Sequence, residues 1–288
     1  MSTIKMRKMT AQDIDAVISL VNRTFNPPSP MDKAFPFIFS PSNTYSYVLE
    51  MEDKIVSFIG VVPIIWQAYY GVSIGAVCTD KDYQGQGLLR KLFPYAINDL
   101  KNQDIDFILV SGSGKVYMEN NAQFYGTFYS HRIERTNRQA HVNLIDYDGG
   151  VKQLNTIHQL LNSNGHYDFG INELSVLLEA QGAASVLGLK PTTYLIEENQ
   201  EIVAFLTHAY NKEKSRIIEY AGKQESVIAA IQTLNQSLNI EATDLVSLKP
   251  IAGYQVEKIQ NEGTIIYTKE ELVEALENIP YAFGLRFV

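Results

Sequence analysis

The sequence predicts a mixed α/β (α+β) protein with two tandem domains, each built around one mixed sheet. The predicted elements of the first half follow the order β-α-β-β-β-loop-α-β, which is typical of helices packed on a mixed sheet. Part of this order returns in the second half, where Tyr194–Phe205 aligns without a gap on Tyr47–Phe58. A turn cluster at residues 148–150 separates the halves. We therefore expect one domain over residues 1–147 and a second over residues 148–288.

The first half begins with a short predicted strand at Ile4–Arg7 and a helix that follows Thr10, a residue with N-cap chemistry. Apolar residues recur at helical spacing as far as Phe25, where the proline-rich segment 26–30 ends the helix. Residues 31–43 are expected to form a loop with little regular structure. The remaining elements are a hairpin, a third strand, a helix and a buried strand: Tyr45–Met51, Lys54–Trp66, Val72–Thr79, Leu88–Leu100 and Asp106–Ser111.

The second half repeats the order β-β-β-α-β. After its hairpin come a strand at Ser215–Tyr220, a helix at Glu225–Leu238 and a strand at Asp244–Leu248. An ungapped register together with a matching element order favours an internal duplication over a chance likeness between two hairpins. The identical pairs are Tyr47/Tyr194, Glu50/Glu197, Ile55/Ile202, Val56/Val203 and Phe58/Phe205.

The composition is that of a globular protein with ample core, since 45% of the 288 residues are apolar and 19% are charged. A net charge of −8 argues against a nucleic-acid partner, because affinity for phosphate backbones depends on basic surface. An acidic surface instead concentrates cationic substrates such as amines.

Targeting and metal-binding signals are missing from the sequence. Cys78 is the only cysteine, so no internal disulfide is expected. The start of the chain lacks the apolar core of a signal peptide, and the longest apolar stretch, Ile55–Trp66, is too short to span a bilayer. We therefore expect a cytoplasmic protein without a membrane partner. The five histidines are scattered and have no cysteine partners, so no metal site is expected.

The most informative segment is a glycine-containing turn between the strand that ends at Thr79 and the helix that begins at Leu88. Such a turn presents backbone N–H groups at a helix N-terminus, where the helix dipole favours anions. Gly85 and Gly87 allow a close approach and positive φ. These features indicate a site for a diphosphate. The third glycine of a Rossmann fingerprint is missing, and the later Gly-Lys at 114–115 lacks the length and hydroxyl of a Walker loop.

Two motifs carry a resemblance to a known family. Gln84-Gly-Gln-Gly-Leu-Leu89 resembles the Q/R-x-x-G-x-G/A pyrophosphate loop of GNAT acetyltransferases, with Leu89 in place of the last glycine or alanine. Its continuation through Arg90 is similar to the "enhanced intracellular survival" branch, which has tandem GNAT domains with a degenerate second copy. Phe124–Tyr129 resembles the apolar-Tyr-Gly-x-Phe-Gly-Tyr motif of that branch, with Tyr129 replacing its second glycine. The third, sterol-carrier-like domain of the branch has no counterpart in these 288 residues.

The resemblance implies that acetyl-CoA (coenzyme A) is the co-substrate. Backbone groups of the fourth strand would pair with the pantetheine arm, N–H groups of the loop would hold the diphosphate, and Arg90 would reach a coenzyme A phosphate. The implied coenzyme-binding residues are Val77, Cys78, Thr79, Gln84, Gly85, Gln86, Gly87, Leu88, Leu89 and Arg90.

Tyr125 is implied to be the general acid that protonates the departing thiolate. The resemblance also implies that the carboxylate of Val288 enters the active site. The fourth strand carries no acid, so Asp80, Glu119 and a water-mediated route all stay open for removing the proton of the acceptor. Cys78 is expected to be a small buried residue and not a nucleophile.

The expected function is an N-acetyltransferase that transfers an acyl group from acetyl-CoA to a small-molecule or peptide amine by direct attack. The missing fourth-strand acid keeps a non-catalytic acyl-CoA-binding or regulatory module as the alternative. An aminoacyl-transfer relative would need a basic surface for a charged tRNA, which the net charge disfavours.

In the second half, Gly222 is the only glycine of the equivalent loop and Glu225 would repel a diphosphate, so no coenzyme is expected there. That domain is expected to wall the acceptor cleft or to mediate a homodimer.

Overall fold

A computed structural model describes residues 4–136, 142–163, 165–261, 263–269, 271–276, 278–280 and 284–285. These residues divide into two compact units. The first unit contains the chain up to Tyr125 and the later residues between 263 and 276. The second contains Gly126–Asn261 and the described residues from 278 to 285. Each unit has one mixed sheet, so the predicted mixed α/β class is confirmed.

The first unit is a six-stranded sheet with helices on both faces. Its elements are β1 (Ile4–Lys8), α1 (Ile14–Phe25), α2 (Met31–Ala34), β2 (Tyr47–Met51), β3 (Lys54–Trp66), β4 (Tyr69–Thr79), α3 (Leu88–Lys101), β5 (Phe107–Val110), α4 (Lys115–Met118) and, much later in the chain, β13 (Thr264–Tyr267) and α9 (Leu272–Ala275). The strand order is β1-β2-β3-β4-β5-β13. Only β4 and β5 pair in parallel, and all other neighbours are antiparallel.

Two apolar clusters hold the first sheet between its helices. On one face, Phe93 and Ala96 of α3 pack with buried residues of β2, β3, β4 and β5. On the other face, Val17 and Leu20 of α1 pack with Phe58 of β3 and with the end of β4. Because β4 is covered on both faces, its position is fixed by the two helices that flank it.

Residues 31–43 are better ordered than the loop that the sequence predicts. They contain the short helix α2, and Ile38 is fully buried. The side-chain amide of Asn43 donates to the carbonyl oxygens of Ile38 (2.8 Å) and Val61 (3.0 Å). One buried amide thus ties this segment to β3, a tertiary interaction that local sequence patterns do not reveal.

The second unit has a seven-stranded sheet. Its elements are β6 (Phe128–Glu134), β7 (Asn143–Asp146), α5 (Val151–Ser163), α6 (Ile171–Ala180), α7 (Gly182–Val186), β8 (Lys190–Glu198), β9 (Glu201–Tyr210), β10 (Ser215–Gly222), α8 (Gln224–Ser237), β11 (Ala242–Ser247) and β12 (Val256–Ile259). The strand order is β12-β6-β11-β10-β9-β8-β7, and β10 and β11 are parallel. The order β8-β9-β10-α8-β11 matches β2-β3-β4-α3-β5, as the internal repeat predicts.

The division between the units differs from the predicted boundary at 147/148, because two strands pair away from their sequence neighbours. β6 follows the first unit directly, yet it pairs along its length with β11, from Glu134 opposite Ala242 to Tyr129 opposite Ser247. β13 follows the main segment of the second unit, Gly126–Asn261, yet it pairs with β5. Each strand belongs to the sheet that satisfies its backbone hydrogen bonds, so the chain leaves the first unit after Tyr125 and returns to it later.

Candidate functional site

A gap opens between two parallel strands of the first sheet. The pairing of β4 with β5 ends at Ile74 opposite Val110, and the N–H of Ser111 still donates to the carbonyl oxygen of Ile74 across 2.9 Å. β4 continues, so the stretch Gly75–Thr79 has no ladder partner on the β5 side among the described residues, while its other edge pairs with β3. One row of backbone N–H and C=O groups is therefore available to an extended ligand, which binds by adding itself as a strand.

A β-bulge lies within this unpaired stretch. Phe58 of β3 opposes Cys78, but Gly60 opposes Gly75, so β4 has one extra residue there. Ala76 has φ +50°, in the left-handed region. A bulge bends its strand and increases the local twist, so it alters the course of β4 just beyond its last pair with β5. Of the predicted pantetheine-binding residues, Val77, Cys78 and Thr79 all lie on the part of β4 beyond the last pairing with β5.

The loop Gln84–Gly87 follows the gap and leads directly into α3. Gly85 has φ +80° and Gly87, the N-cap of α3, has φ +71°. A Cβ atom built on either glycine meets nothing within 4 Å, so both glycines border open space and not packed protein. The first turn of α3 has neither a side-chain cap nor an acidic residue. Its backbone N–H groups lack intrahelical partners, and the helix dipole adds positive potential, so the chemistry of these donors fits a diphosphate.

Asp80 anchors the start of this loop. Its side chain is buried and accepts from Arg23 (2.7 Å), Lys54 (3.0 Å) and the backbone N–H of Asp82 (3.2 Å). Burial by itself would raise the pKa of Asp80, but Lys54, the Asp82 N–H and Arg23 together hold it below its usual value. A carboxylate held by two cations is a poor proton acceptor. Asp80 thus acts as a structural anion, and the general-base role that the sequence left open for it is disfavoured.

Arg90 and Glu119 form an ion pair across the exposed end of α3. The guanidinium donates to the Glu119 carboxylate at 3.1 Å, and Lys115 lies 3.8 Å from the same carboxylate. Both partners are well exposed, and exposed ion pairs of this kind contribute little to stability. Arg90 can therefore exchange Glu119 for another anion at small cost. Glu119 itself contacts two cations, Arg90 and Lys115, at the surface.

Cys78 contributes its backbone and not its thiol to this region. The side chain is buried in the apolar cluster beneath α1. Burial raises the pKa of the thiol to about 12, so the thiol is protonated at neutral pH. Ser57 donates its hydroxyl to the Cys78 carbonyl oxygen across 2.9 Å. The expectation of a small buried residue agrees with this environment.

Tyr125 lies in the segment that follows α4 and is only 4% exposed. Gln123, two residues earlier, forms an isolated antiparallel bridge with Ile265 of β13. Gly126 follows with φ +67°, a left-handed conformation that turns the chain towards β6. The strand order β4-β5-β13 thus places the Tyr125 segment on the β5 side of the gap.

Val288, the second predicted catalytic residue, lies outside the described residues. Two described residues of the preceding segment belong to the second unit, where the N–H of Leu285 donates to the Glu219 carboxylate at 3.2 Å. A Cβ atom built on Gly284 would come within 2.7 Å of the same carboxylate. Leu285 is buried, and neither residue forms a strand.

The corresponding turn of the second unit is filled by protein. Gly222 has φ +105°, and a Cβ atom there would meet the carbonyl oxygen of Val203 at 2.4 Å. In front of α8, the Glu198 carboxylate accepts from Ser226 and from Lys223, each at 2.6 Å. The hydrogen bond from Lys223, followed by that from Ser226, lowers the pKa of Glu198. A carboxylate of the chain itself therefore stands where α8 would attract an anion.

Sequence reasoning missed Glu198 and pointed instead to Glu225 in the first turn of α8. A signal was nevertheless present. The ungapped repeat aligns Tyr47 with Tyr194, and the same register places Glu198 opposite Met51. An apolar residue of the first copy is thus a carboxylate in the second, and this change is visible in the aligned repeat itself.

Neither a membrane-spanning helix nor a metal-binding cluster is found in the part of the chain that the structure describes. No helix there is long and apolar enough to cross a bilayer. No three or more side chains of His, Cys, Asp or Glu come together there in an arrangement that could hold a metal ion.

Comparison with known families identifies the domain that carries the gap and the loop. Residues 5–124 match the model of the acetyltransferase (GNAT) domain. This part of the chain is therefore similar to GNAT acetyltransferase domains. The matched range runs from β1 to the segment that precedes Tyr125, so it includes β4, the loop and α3. By virtue of this domain the enzyme is an acyltransferase, as the pyrophosphate-loop motif predicts. No curated protein matches the sequence.

Solved structures of low sequence identity share the GNAT fold over most of the chain. A GCN5-related N-acetyltransferase from Anabaena variabilis has a TM-score of 0.69 at 15% identity, covering 93% of this chain and 73% of that one. Eis1 from Mycobacterium abscessus has a TM-score of 0.63 at 10% identity, covering 93% and 74%. A tandem GNAT protein from the clavulanic acid biosynthesis pathway has a TM-score of 0.54 at 8% identity, covering 93% and 99%. Similarity at such identities shows a common fold, here one with two GNAT-like sheets.

Proposed function

We propose that this GNAT protein is an acetyl-CoA-dependent N-acetyltransferase that uses one coenzyme site, in the first unit. The observation that carries the proposal is that the unpaired edge of β4 is followed in the chain by the open N-terminus of α3. Gly75–Thr79 offers backbone groups for an extended amide-bearing arm, and Gly85–Leu89 offers N–H groups and positive potential for a diphosphate. The amide-bearing arm and the diphosphate of coenzyme A thus both find groups that can bind them at one end of β4.

Bound acetyl-CoA would supply a thioester, whose carbonyl carbon accepts a nucleophile. In the proposed transfer the amine nitrogen bonds to that carbon, the carbon–sulfur bond breaks, and the thiolate takes the hydroxyl proton of Tyr125. The attacking nitrogen then loses one proton, which returns to Tyr125 through solvent. The backbone of Val77–Thr79 would orient the thioester, which contributes to rate by holding the reacting groups in place.

Deprotonation of an ammonium acceptor needs no dedicated carboxylate in this proposal. Of the two acids that the sequence offered, Asp80 is buried between two cations, and Glu119 lies in an exposed pair with Arg90. We therefore propose that the acceptor proton leaves to water. The acidic net charge of −8 favours cationic acceptors, either small-molecule or peptide amines. Within the GNAT class, the Gly87–Arg90 continuation and the likeness to Eis1 support the "enhanced intracellular survival" branch.

A second candidate is a non-catalytic acyl-CoA-binding or regulatory module. It is favoured by the unpaired stretch of β4, Gly75–Thr79, which carries no acidic residue and is followed by an Asp80 that is already neutralised. Such a module would keep the coenzyme surface and lack turnover.

Thiol release from acetyl-CoA in the presence of a panel of small amines and lysine-containing peptides separates these functions. An N-acetyltransferase releases free coenzyme A only when an acceptor is present, and mass spectrometry finds the acceptor heavier by one acetyl group. Calorimetric binding of acetyl-CoA without thiol release across the panel would support the binding module. Absence of binding would overturn both functions.

A further inference from the structure

The C-terminal strand β13 completes the sheet of the first unit on the far side of β5. Its four residues pair antiparallel with β5, from Thr264 opposite Val110 to Tyr267 opposite Phe107. The hydroxyl of Thr264 donates to the carbonyl oxygen of Gly112 at 2.8 Å, just beyond the end of β5. At the other end, Thr268 donates to the carbonyl oxygen of Asp106 at 2.8 Å. β13 is thus fastened to β5 along its length and at both ends.

The second edge of β13 holds the segment that carries Tyr125. The N–H of Gln123 donates to the carbonyl oxygen of Ile265 at 2.9 Å, and the N–H of Ile265 donates back to Gln123 at 2.8 Å. Ile265 is fully buried, whereas Gln123 is exposed. Only Phe124, which is 40% exposed, separates this bridge from Tyr125.

We propose that Ile265, through its backbone bridge to Gln123, is a positioning residue for the hydroxyl of Tyr125. This inference rests on the proposed role of Tyr125 as general acid. A proton donor must lie within hydrogen-bond reach of the leaving sulfur, and a misplacement of about 1 Å can lower turnover about 100-fold. Because Tyr125 lies only two residues after Gln123, a shift of β13 would move the proposed general acid with it. A strand that follows residues Gly126–Asn261 of the second unit in the sequence therefore takes part in acyl transfer by the first.

The test is a proline substitution that removes one bond of the bridge. Gln123→Pro lacks the N–H that donates to Ile265, whereas Gln123→Ala keeps it and removes only an exposed side chain. We expect Gln123→Pro to lower kcat about 10- to 100-fold with the KM for acetyl-CoA within about twofold, and Gln123→Ala to behave like the parent. A kcat of Gln123→Pro equal to that of Gln123→Ala would overturn the proposal.

A double-mutant cycle with Tyr125→Phe distinguishes positioning from general disruption. If the bridge acts through the tyrosine hydroxyl, Gln123→Pro has no further effect on kcat once that hydroxyl is gone. An equal fold loss in the Tyr125→Phe background would refute the positioning role. The proposed function fails separately, because an unchanged kcat in Tyr125→Phe alone removes the general acid.

A second variant covers the case in which Gln123→Pro does not fold. Phe124→Gly leaves the bridge intact and loosens the link to Tyr125, and Phe124→Ala is its matched control for the loss of the ring. Positioning predicts a lower kcat for glycine than for alanine at equal melting temperature, and only while Tyr125 is present. Equal kcat values for the two variants would count against the proposal.

Discussion

Ser226 and Glu198 share a hydrogen bond of 2.6 Å that joins the first turn of α8 to the last residue of β8. In the first unit, the equivalent helix begins with Gly87 in the left-handed conformation and with open space around it. The duplicated element order therefore gives two equivalent helix N-termini, those of α3 and α8, that differ in whether the protein itself supplies the anion. One is neutralised by a carboxylate of the protein, and the other is available to an external anion.

Acetyl-CoA is expected to bind once per chain, and Gly87→Glu is expected to abolish most of this binding. The added carboxylate would place negative charge at the diphosphate position, and a side chain is strained at φ +71°. We expect affinity to fall by at least about tenfold, or ~1.4 kcal/mol, in isothermal titration calorimetry.

Gly253→Glu is the matched control for Gly87→Glu. Gly253 also has positive φ (+84°) and open surroundings, but it lies in the second unit. The Gly253→Glu variant should therefore bind acetyl-CoA as tightly as the parent protein. Two equal sites per chain, or equal losses in the two variants, would contradict a single site in the first unit.

Tyr125→Phe is expected to lower turnover and to leave coenzyme affinity nearly unchanged. The substitution removes the proposed proton donor but keeps the buried ring, and general acid catalysis contributes about 10²- to 10⁴-fold. Steady-state thiol release and calorimetry measure the two quantities. Tyr129→Phe in the same motif is the control and should keep full turnover. Full turnover in Tyr125→Phe would remove this residue from the mechanism.

Cys78 is expected to resist alkylation in the folded protein. With a thiol pKa of about 12, roughly one molecule in ten thousand carries the reactive thiolate at pH 8, and the side chain is buried as well. Mass spectrometry after iodoacetamide treatment should find the folded chain unmodified and the guanidinium-unfolded chain fully modified. Cys78→Ala should retain thiol-release activity. Rapid labelling of the folded chain would contradict the buried, protonated thiol.

The coenzyme loop was predictable because its signals are local. Gly85 and Gly87 stand immediately before an amphipathic helix, and both have positive φ in the structure. The partners of β6 and β13 were not predictable in the same way. Consecutive β-branched residues such as Ile265 and Ile266 favour a strand, but they do not specify which sheet edge the strand joins. That choice is made by pairing between residues far apart in sequence, as between Thr264 and Val110. The segment before Tyr125 is held by such a pairing, with Ile265 of β13. The motif around Tyr125 therefore predicted the role of this residue but not the strand that holds its segment.

A buried chain of hydrogen bonds in the second unit determines the protonation of His208. Thr243 donates to the side-chain oxygen of Asn235 at 2.5 Å, so Ser215, 2.7 Å from Thr243, must donate to it. The ring Nε2 of His208, 2.7 Å from Ser215, must then be the donor of that bond. The ring Nδ1 has no hydrogen-bond partner among the described residues. Protonating Nδ1 would therefore bury a charge without a partner, and burial lowers the pKa of His208 from 6.5 to about 4.

The parent protein is therefore expected to lose stability on acidification by a contribution that His208→Gln lacks. Below pH 6.5 the unfolded chain takes up a proton at His208 that the folded chain refuses, so the free energy of unfolding falls as the pH is lowered. The fall ends near pH 4, where the folded chain is protonated too, and it totals about 3 kcal/mol.

Glutamine at position 208 preserves a donor near the Nε2 position and does not titrate. Urea unfolding at intervals from pH 7.5 to 4 should thus give a shallower loss for His208→Gln than for the parent. His131, whose pKa burial also lowers, is common to both proteins and cancels in the comparison. Parallel curves for the two proteins would mean that the folded chain takes up a proton at His208 as readily as the unfolded chain, which would contradict the lowered pKa of the buried ring.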